Sequence, residues 1–133
     1  TYNFNLLTPP TTNLAFDTAI TANLAAQETE LYQFTGTAGQ RLYFDSQTSS
    51  ISASWYLRGP NNQNIVGYSL TSDFQQTLTA DGTYVLSVQG SNSTAANFDF
   101  QIVTPTTTTS ALTLNTPISG TISELGEQDI YTF

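Results

Sequence analysis

The sequence predicts an all-β protein with a jelly-roll-like antiparallel β-sandwich fold. Short stretches rich in Val, Ile, Thr, Tyr and Phe alternate apolar with polar residues, and clusters of Gly, Pro, Asn and Asp separate them. No stretch has the apolar stripe of an amphipathic helix. The 133 residues, 38% of them hydrophobic, suffice for one core and little more. We therefore expect one sandwich domain with additional segments at its ends.

Four segments carry the strand pattern most clearly, at residues 42–45, 54–57, 84–88 and 98–103. Their apolar side chains recur at every second position or run briefly continuous, so that one face of each strand can pack inward. In the second segment, Trp55 and Tyr56 are adjacent, and we expect one to face the core and the other the solvent. Turn residues lie between the strands at 37–40, 59–62 and 80–83. The acid-Gly sequence at 81–83 is interpreted as a hairpin turn.

Charge and composition exclude several functions. Ten acidic residues against two basic ones give a net charge of -8, which disfavours nucleic acid and anionic membranes as partners. The chain lacks Cys and His, and Arg41 and Arg58 are its two basic residues, so neither a Ser-His-Asp or Cys-His site nor a Lys-based nucleophile can be built. We therefore do not expect an enzyme. The absence of Cys together with the absence of Lys favours an extracellular, bacterial cell-surface protein.

The two ends of the chain repeat material found in its middle. Residues 2–9 match 98–105 in size and polarity, and residues 118–133 match 20–34 with one residue inserted. The offsets imply a repeat of roughly a hundred residues. Residues 1–10 are then the last strand of a preceding repeat plus a linker, 11–104 a complete repeat, and 105–133 a linker plus the first strands of a following repeat. The alternative is that both ends are ordinary strands of one larger sandwich.

This organisation predicts self-association, because orphan strands leave unpaired backbone groups that seek a sheet edge. The partners would be copies of the chain or neighbouring repeats, and exchange of strands between chains would build fibres. The Pro- and Thr-rich segments at 9–12 and 105–109 are interpreted as semi-stiff spacers. The candidate self-assembly residues are the apolar side chains of the two ends: Ile118, Ile122, Ile130, Tyr131, Phe133, Tyr2, Phe4 and Leu6.

An ordered set of motifs resembles a known family. Residues 118–133, if continued by 35–44, give an acidic-x-acidic-x-Tyr-x-Phe strand followed by a Gly turn and another strand. Residues 54–65 give a strand-turn-strand unit, and 78–88 a Gly-Thr-Tyr strand. The set resembles the bacterial pre-peptidase C-terminal domain. The resemblance implies a secreted, jelly-roll-like sandwich that is a non-catalytic appendage of an enzyme or a repeated surface module.

Some relatives in that family bind calcium or collagen, which nominates two further sets of residues. Glu28 and Glu30 fall on the same face of a strand, so they could share a calcium ion completed by Asp17 and Asp45. Their repeat copies are Glu127 and Asp129. Alternatively, these carboxylates merely keep a strand soluble. A surface for polysaccharide or collagen is nominated by outward polar and aromatic residues: Tyr56, Arg58, Asn61 and Asn62. If this surface binds such a ligand, the chain is an accessory ligand-binding domain of a secreted enzyme.

Overall fold

The computed structural model describes residues 9–91, 93 and 95–133. The candidate residues Tyr2, Phe4 and Leu6 lie outside the described residues. Within that range the chain forms eleven strands and one 3-10 turn, Pro60–Asn62. The strands are β1 (Thr11–Asn13), β2 (Ile20–Leu24), β3 (Thr29–Gly36), β4 (Arg41–Ser46), β5 (Ala53–Arg58), β6 (Asn64–Ser69), β7 (Phe74–Thr77), β8 (Gly82–Gly90), β9 (Ala96–Val103), β10 (Thr107–Ala111) and β11 (Gln128–Thr132).

The first nine strands make the predicted β-sandwich. One sheet has the order β1-β3-β8-β5-β6 and the other the order β2-β9-β4-β7. Every neighbouring pair is antiparallel except β1 with β3, which run parallel. Strands β10 and β11 form a separate two-stranded parallel sheet. The sandwich prediction is confirmed, and the two parallel pairs are a feature that the sequence did not predict.

The core lies between the two sheets and is dominated by aromatic rings. Phe44 stacks on Phe74 with ring centroids 4.2 Å apart, and Trp55 stands edge-on to both. Trp55 is completely buried, whereas its neighbour Tyr56 lies half-buried on the outer face of the sheet, as the alternation predicted. The apolar side chains that fill the two inner faces include Leu24, Tyr32, Phe34, Leu42, Leu57, Tyr84, Leu86, Val88, Phe98, Phe100 and Ile102.

The hairpin prediction for residues 81–83 is wrong. The segment joins β7 to β8, and these strands belong to different sheets, so it crosses over the end of the sandwich. There the Asp81 carboxylate accepts a hydrogen bond of 2.7 Å from the Ala38 amide, in the connection between β3 and β4. Two inter-sheet connections are thereby tied together. The strand-turn-strand unit around the 3-10 turn, by contrast, is a hairpin of β5 and β6, closed by a 2.8 Å bond from the Gly59 amide to the Gln63 carbonyl.

The spacer interpretation of the Thr-rich segments is also wrong. Residues Thr11–Asn13 form β1 and residues Thr107–Ala111 form β10, so both runs are paired strands. β-branched threonine suits an extended, exposed strand as well as it suits a linker, and backbone pairing satisfies groups that a linker leaves to water. In the part of the chain that the structure describes, no helix is long and apolar enough to span a membrane.

Candidate functional site

The tail formed by residues 105–133 reproduces the pairing at the start of the sandwich. In the parallel pair of β1 and β3, Thr12 lies opposite Tyr32, and in the parallel pair of β10 and β11, Ser110 lies opposite Tyr131. Tyr131 is the residue that the repeat places on Tyr32. The flanking positions keep this register: Thr11 with Leu31 and Asn13 with Gln33 in the first pair, Thr109 with Ile130 and Ala111 with Thr132 in the tail.

The first bend of the tail repeats as well. After β1 the Leu14 amide donates to the Gln33 carbonyl at 2.8 Å, and after β10 the Leu112 amide donates to the Thr132 carbonyl at 2.7 Å. Three residues beyond each leucine the backbone enters the left-handed region, with φ of 57° at Asp17 and 61° at Asn115. Asp and Asn are residues that tolerate this conformation.

The second bend of the tail repeats in the same way. The Glu28 amide donates to the Ala25 carbonyl and the Glu127 amide to the Glu124 carbonyl, each at 3.2 Å. In both loops the glutamate carboxylate accepts a bond from the amide three residues before it, Ala25 or Glu124. The same local hydrogen bonds therefore form twice in the chain.

Exposure separates the two copies. Phe34 is 5% exposed and Leu24 is 2% exposed, whereas their counterparts Phe133 and Ile122 are 103% and 60% exposed. The tail thus presents an apolar face whose equivalent in the sandwich is core. The exposed apolar residues of the tail whose counterparts form the core or pack against it are Leu112, Leu114, Ile118, Ile122, Tyr131 and Phe133. The remaining candidate self-assembly residue, Ile130, points to the other side of β11, as its counterpart Leu31 does on β3.

One part of the expected copy is missing from the tail. The repeat predicts an opening pair of strands, but residues 118–122 are not a strand, although their counterpart is β2. Strand β2 exists in the sandwich because it pairs with β9 along its whole length. No equivalent of β9 accompanies the tail within the described residues, so residues 118–122 have no sheet to join.

The copy begins earlier in the chain than the sequence predicts. The predicted match starts at Ile118, whereas Leu112 and Leu114 already correspond to Leu14 and Phe16 of the sandwich. Phe16 packs edge-on against Phe34 at 5.4 Å, so Leu114 belongs to the same apolar face. The sequence signal for both leucines is the Thr-rich segment that precedes each of them, at residues 11–12 and 106–109.

The structure does not assemble the candidate calcium set. The Asp17 carboxylate accepts bonds from the amide and hydroxyl of Thr104, at the carboxyl end of β9. Glu28 lies beyond β2, whose Leu24 pairs with Ala96 at the other end of β9, about 23 Å away at 3.3 Å per residue. Asp45 accepts bonds from two glutamine side chains. Among the described residues, no three acidic groups lie close enough together to hold a metal ion.

The tail copies of those acids have local roles. The Glu127 carboxylate accepts hydrogen bonds from the Ser123 and Glu124 amides and from the Ser123 hydroxyl. These bonds hold the pKa of Glu127 below its ordinary value, and the bond from the Ser123 amide has the largest effect. Asp129 accepts a bond from the Thr108 hydroxyl on the neighbouring strand. Both carboxylates therefore stabilise the tail's own turns and strands.

The candidate ligand residues lie on or beside the outer face of the five-stranded sheet. Arg58 donates to the Asn62 side chain at 3.0 Å, and both line a shallow cleft of about 320 Å³. Tyr56 lies on the same face, with one edge of its ring so close to Gly67 of β6 that a Cβ on Gly67 would come within 2.5 Å of it. Asn61 is exposed in the 3-10 turn but does not line the cleft. The remaining lining residues are Thr29, Leu31, Val85, Ser87 and Gln89.

Solved structures with the same fold are known. One is the pre-peptidase C-terminal domain of a collagenase from Bacillus anthracis, at 14% identity, 74% coverage of this chain, 99% coverage of that chain and a TM-score of 0.60. The sandwich therefore has the fold of a pre-peptidase C-terminal domain. No family model matches the sequence, and no curated protein matches it.

Two further structures with this fold are periplasmic inhibitors of g-type lysozyme. The Salmonella Typhimurium protein PliG is 26% identical, with 70% of this chain and 96% of that chain covered and a TM-score of 0.57. The Aeromonas hydrophila PliG is 19% identical, with coverages of 69% and 95% and a TM-score of 0.53.

Proposed function

We propose that this chain is a stretch of a tandem array of non-catalytic extracellular β-sandwich modules that has a structural or adhesive role. The observation that carries the proposal is the second appearance of the β1/β3 pairing in β10/β11, in the same register and with the same two bends. Matching backbone geometry at matching positions is expected of a structural repeat and not of two unrelated strands.

Two further observations support a repeat. The match covers 99% of the collagenase domain but only 74% of this chain, which supports one domain of this fold together with additional residues. The residues of the tail that correspond to the sandwich core are apolar yet exposed. So many exposed large apolar side chains in one short segment are unusual on an isolated soluble domain and indicate a surface that another segment covers. In the proposed array, that segment is the remainder of the following module.

The proposal is tested by completing the second module with this chain's own residues. Residues 35–104 are appended after Phe133, so that the tail takes the place of residues 11–34 in a second sandwich. We expect the calorimetric unfolding enthalpy to approach twice that of the original chain, because unfolding enthalpy scales with the number of folded residues. Binding of a hydrophobic dye to the tail is expected to fall. An appended segment that stays unfolded contradicts the repeat.

A matched control carries the same appended segment with Ile122→Asp and Phe133→Asp. Their counterparts Leu24 and Phe34 are core residues, and a buried unpaired carboxylate is strongly destabilising. The second unfolding transition should therefore be lost in the control while the first remains. Equal enthalpies in the two appended chains would show that the tail does not contribute to a second core.

Self-association through the tail follows from the same exposed face. In the proposed exchange, β11 of one chain would take the place of β3 beside β8 in another chain, since β3 is the counterpart of β11. Light scattering of the full chain and of a Phe133→Asp, Ile122→Asp variant at rising concentration tests this step. Concentration-dependent growth in the first sample alone supports exchange, and monomers in both samples exclude it.

A second candidate function is that of an accessory ligand-binding domain. The cleft beside Arg58 and Asn62 supports it, as does the likeness to inhibitors of g-type lysozyme, which are named for a protein target. The test screens the immobilised chain against polysaccharides, collagen and g-type lysozyme, with Tyr56→Ala and Arg58→Ala as variants. Binding that both variants weaken would favour this function, and binding to none of these ligands would leave the array function alone.

A further inference from the structure

Among the described residues, the hydrogen bonds between the tail and the sandwich are confined to one small patch. In the part of the chain that the structure describes, every hydrogen bond between residues 106–133 and the sandwich comes from Arg41 or Gln75. Arg41 opens β4 and Gln75 lies on β7, and these strands are neighbours in the four-stranded sheet. The contact is therefore made by one edge of that sheet.

The Arg41 side chain forms hydrogen bonds with two separate parts of the tail. Its Nη1 donates to the Gln128 side chain at 2.5 Å, and its Nη2 donates to the Gly126 carbonyl at 2.6 Å and to the Thr106 carbonyl at 3.3 Å. Thr106 precedes β10 and Gln128 begins β11, so the planar fork of the guanidinium bridges the starts of both tail strands. All three acceptors are neutral, so this contact does not depend on an ion pair.

Gly126 lies unusually close to the sandwich. A Cβ built on this residue would be 2.9 Å from Nε2 of Gln75 and 3.0 Å from Cδ2 of Tyr43. Tyr43 is itself held by a bond of 2.9 Å from its hydroxyl to the Asp73 carboxylate. Only a residue without a side chain fits this gap unless its neighbours move.

The counterpart of Gly126 shows that the loop itself does not require glycine. Gln27 occupies the same place in the loop before β3, at φ of 58° against 72° for Gly126, and its side chain is exposed. Left-handed backbone is therefore compatible with glutamine in this turn. The glycine in the tail is required by the contact with Tyr43 and Gln75 and not by the turn.

We infer that Arg41, Tyr43 and Gln75 form a docking socket for the 124–128 loop of the following module, which fixes the angle between successive modules. This inference rests on the proposed tandem array. A two-stranded sheet is only marginally stable alone, so a socket that holds the starts of β10 and β11 also orders the first strands of the following module. Neighbouring modules would then extend as a stiff rod instead of swivelling about a linker.

The test measures the geometry of the junction in the full chain. The protein has no Cys, so Ser50→Cys on the sandwich and Thr113→Cys on the tail can be spin-labelled uniquely. We expect one narrow distance distribution in this background. Arg41→Gln and Gly126→Gln should each replace the narrow peak with a broad distribution. The first change removes the guanidinium hydrogen bonds to the tail, and the second inserts a side chain where none fits.

Gln27→Gly is the matched control, because it makes the reverse exchange in the equivalent loop, which is free of the socket. It should leave the narrow peak unchanged, and the unfolding midpoint monitored through Trp55 should be the same in Arg41→Gln, Gly126→Gln and the parent. A broad distribution in the parent, or a narrow one in both socket variants, overturns the socket. Neither result affects the tandem array, which the appended second module tests separately.

Discussion

Apart from β2, which has no strand equivalent in the tail, residues 11–34 and residues 107–133 adopt the same local structure in opposite surroundings. Both contain a threonine-rich strand, two left-handed bends and a second strand paired in parallel with the first. The first copy closes a packed core, whereas the second copy holds its apolar side chains in solvent. The comparison shows that turns and register are encoded locally, while burial depends on strands supplied from elsewhere in a module.

The largest expected contrast is between Phe34→Ala and Phe133→Ala. Phe34 is buried and stacks on Tyr84 with ring centroids 5.5 Å apart, so its truncation leaves a cavity and should cost about 3–5 kcal/mol. Phe133 is fully exposed, and its truncation should change stability by less than about 0.5 kcal/mol. Urea unfolding followed by the fluorescence of Trp55, the one tryptophan, measures both. Equal effects would mean that the Phe133 side chain is buried in a core as Phe34 is.

The strands and the sandwich could be predicted from the sequence because apolar alternation reports directly which face of a strand is buried. Trp55 and Tyr56 show this well, since adjacent residues of similar character were assigned to opposite faces. The crossover at 81–83 could not be predicted in this way. A Gly-containing turn has the same chemistry whether it joins neighbouring strands of one sheet or passes between two sheets. The choice is made by long-range pairing.

The candidate site was harder to predict for a related reason. Strand alternation can compare Glu28 with Glu30, but it says nothing about Asp17, which the fold places at the opposite end of β9. Arg41 was noted only as one of two positive charges, because no local pattern marks a residue that contacts a segment far along the chain. Repeats are the exception, since self-similarity identifies equivalent positions without any knowledge of contacts.

A second contrast concerns the first bend. Asp17 accepts a 2.8 Å bond from the Thr104 amide, which fastens the bend to the end of β9. Asp17→Asn keeps a residue suited to φ of 57° but removes the charge, and should cost about 1 kcal/mol. The reciprocal change Asn115→Asp should have no measurable effect on the sandwich. If Asp17→Asn were equally neutral, the bend would be held by its backbone bonds alone.

Alkaline pH should distinguish Tyr32 from its counterpart in the tail, Tyr131. Burial, with a smaller effect of the Glu30 charge, raises the pKa of Tyr32 to about 12 from an ordinary 10. Between those values the folded protein keeps a proton that the unfolded chain loses, so stability is full below pH 10 and declines as the pH rises to 12.

Tyr32→Phe should therefore reduce the alkaline loss of stability, because phenylalanine cannot ionise and fills nearly the same volume. Tyr131→Phe makes the same change in the exposed counterpart and should leave the alkaline profile of the parent unchanged. The measurement is the urea midpoint as a function of pH. An alkaline profile that Tyr32→Phe does not alter would assign the loss to other groups.

The smallest expected effect distinguishes the two second bends. Glu127 accepts bonds from two amides and a hydroxyl, whereas Glu28 accepts one bond, from the Ala25 amide. Because the pKa of Glu127 is lowered, these bonds are complete above its ordinary pKa, persist below that value and are lost only as the pH falls through the lowered pKa. Glu127→Gln should reproduce the loss at neutral pH, seen as displaced amide resonances and faster hydrogen exchange at Ser123 and Glu124.

The sandwich itself should not respond to Glu127→Gln, because the carboxylate contacts only its own loop among the described residues. Glu28→Gln, the matched change in the first copy, should displace the Ala25 amide resonance. Its strand neighbours should stay protected, since β3 is held on both sides by β1 and β8. If Glu127→Gln left the amide resonances and the hydrogen exchange of Ser123 and Glu124 unchanged, the conformation of this bend would be maintained by the docking socket. The bonds to the Glu127 carboxylate would then be a consequence of docking and not an independent local preference.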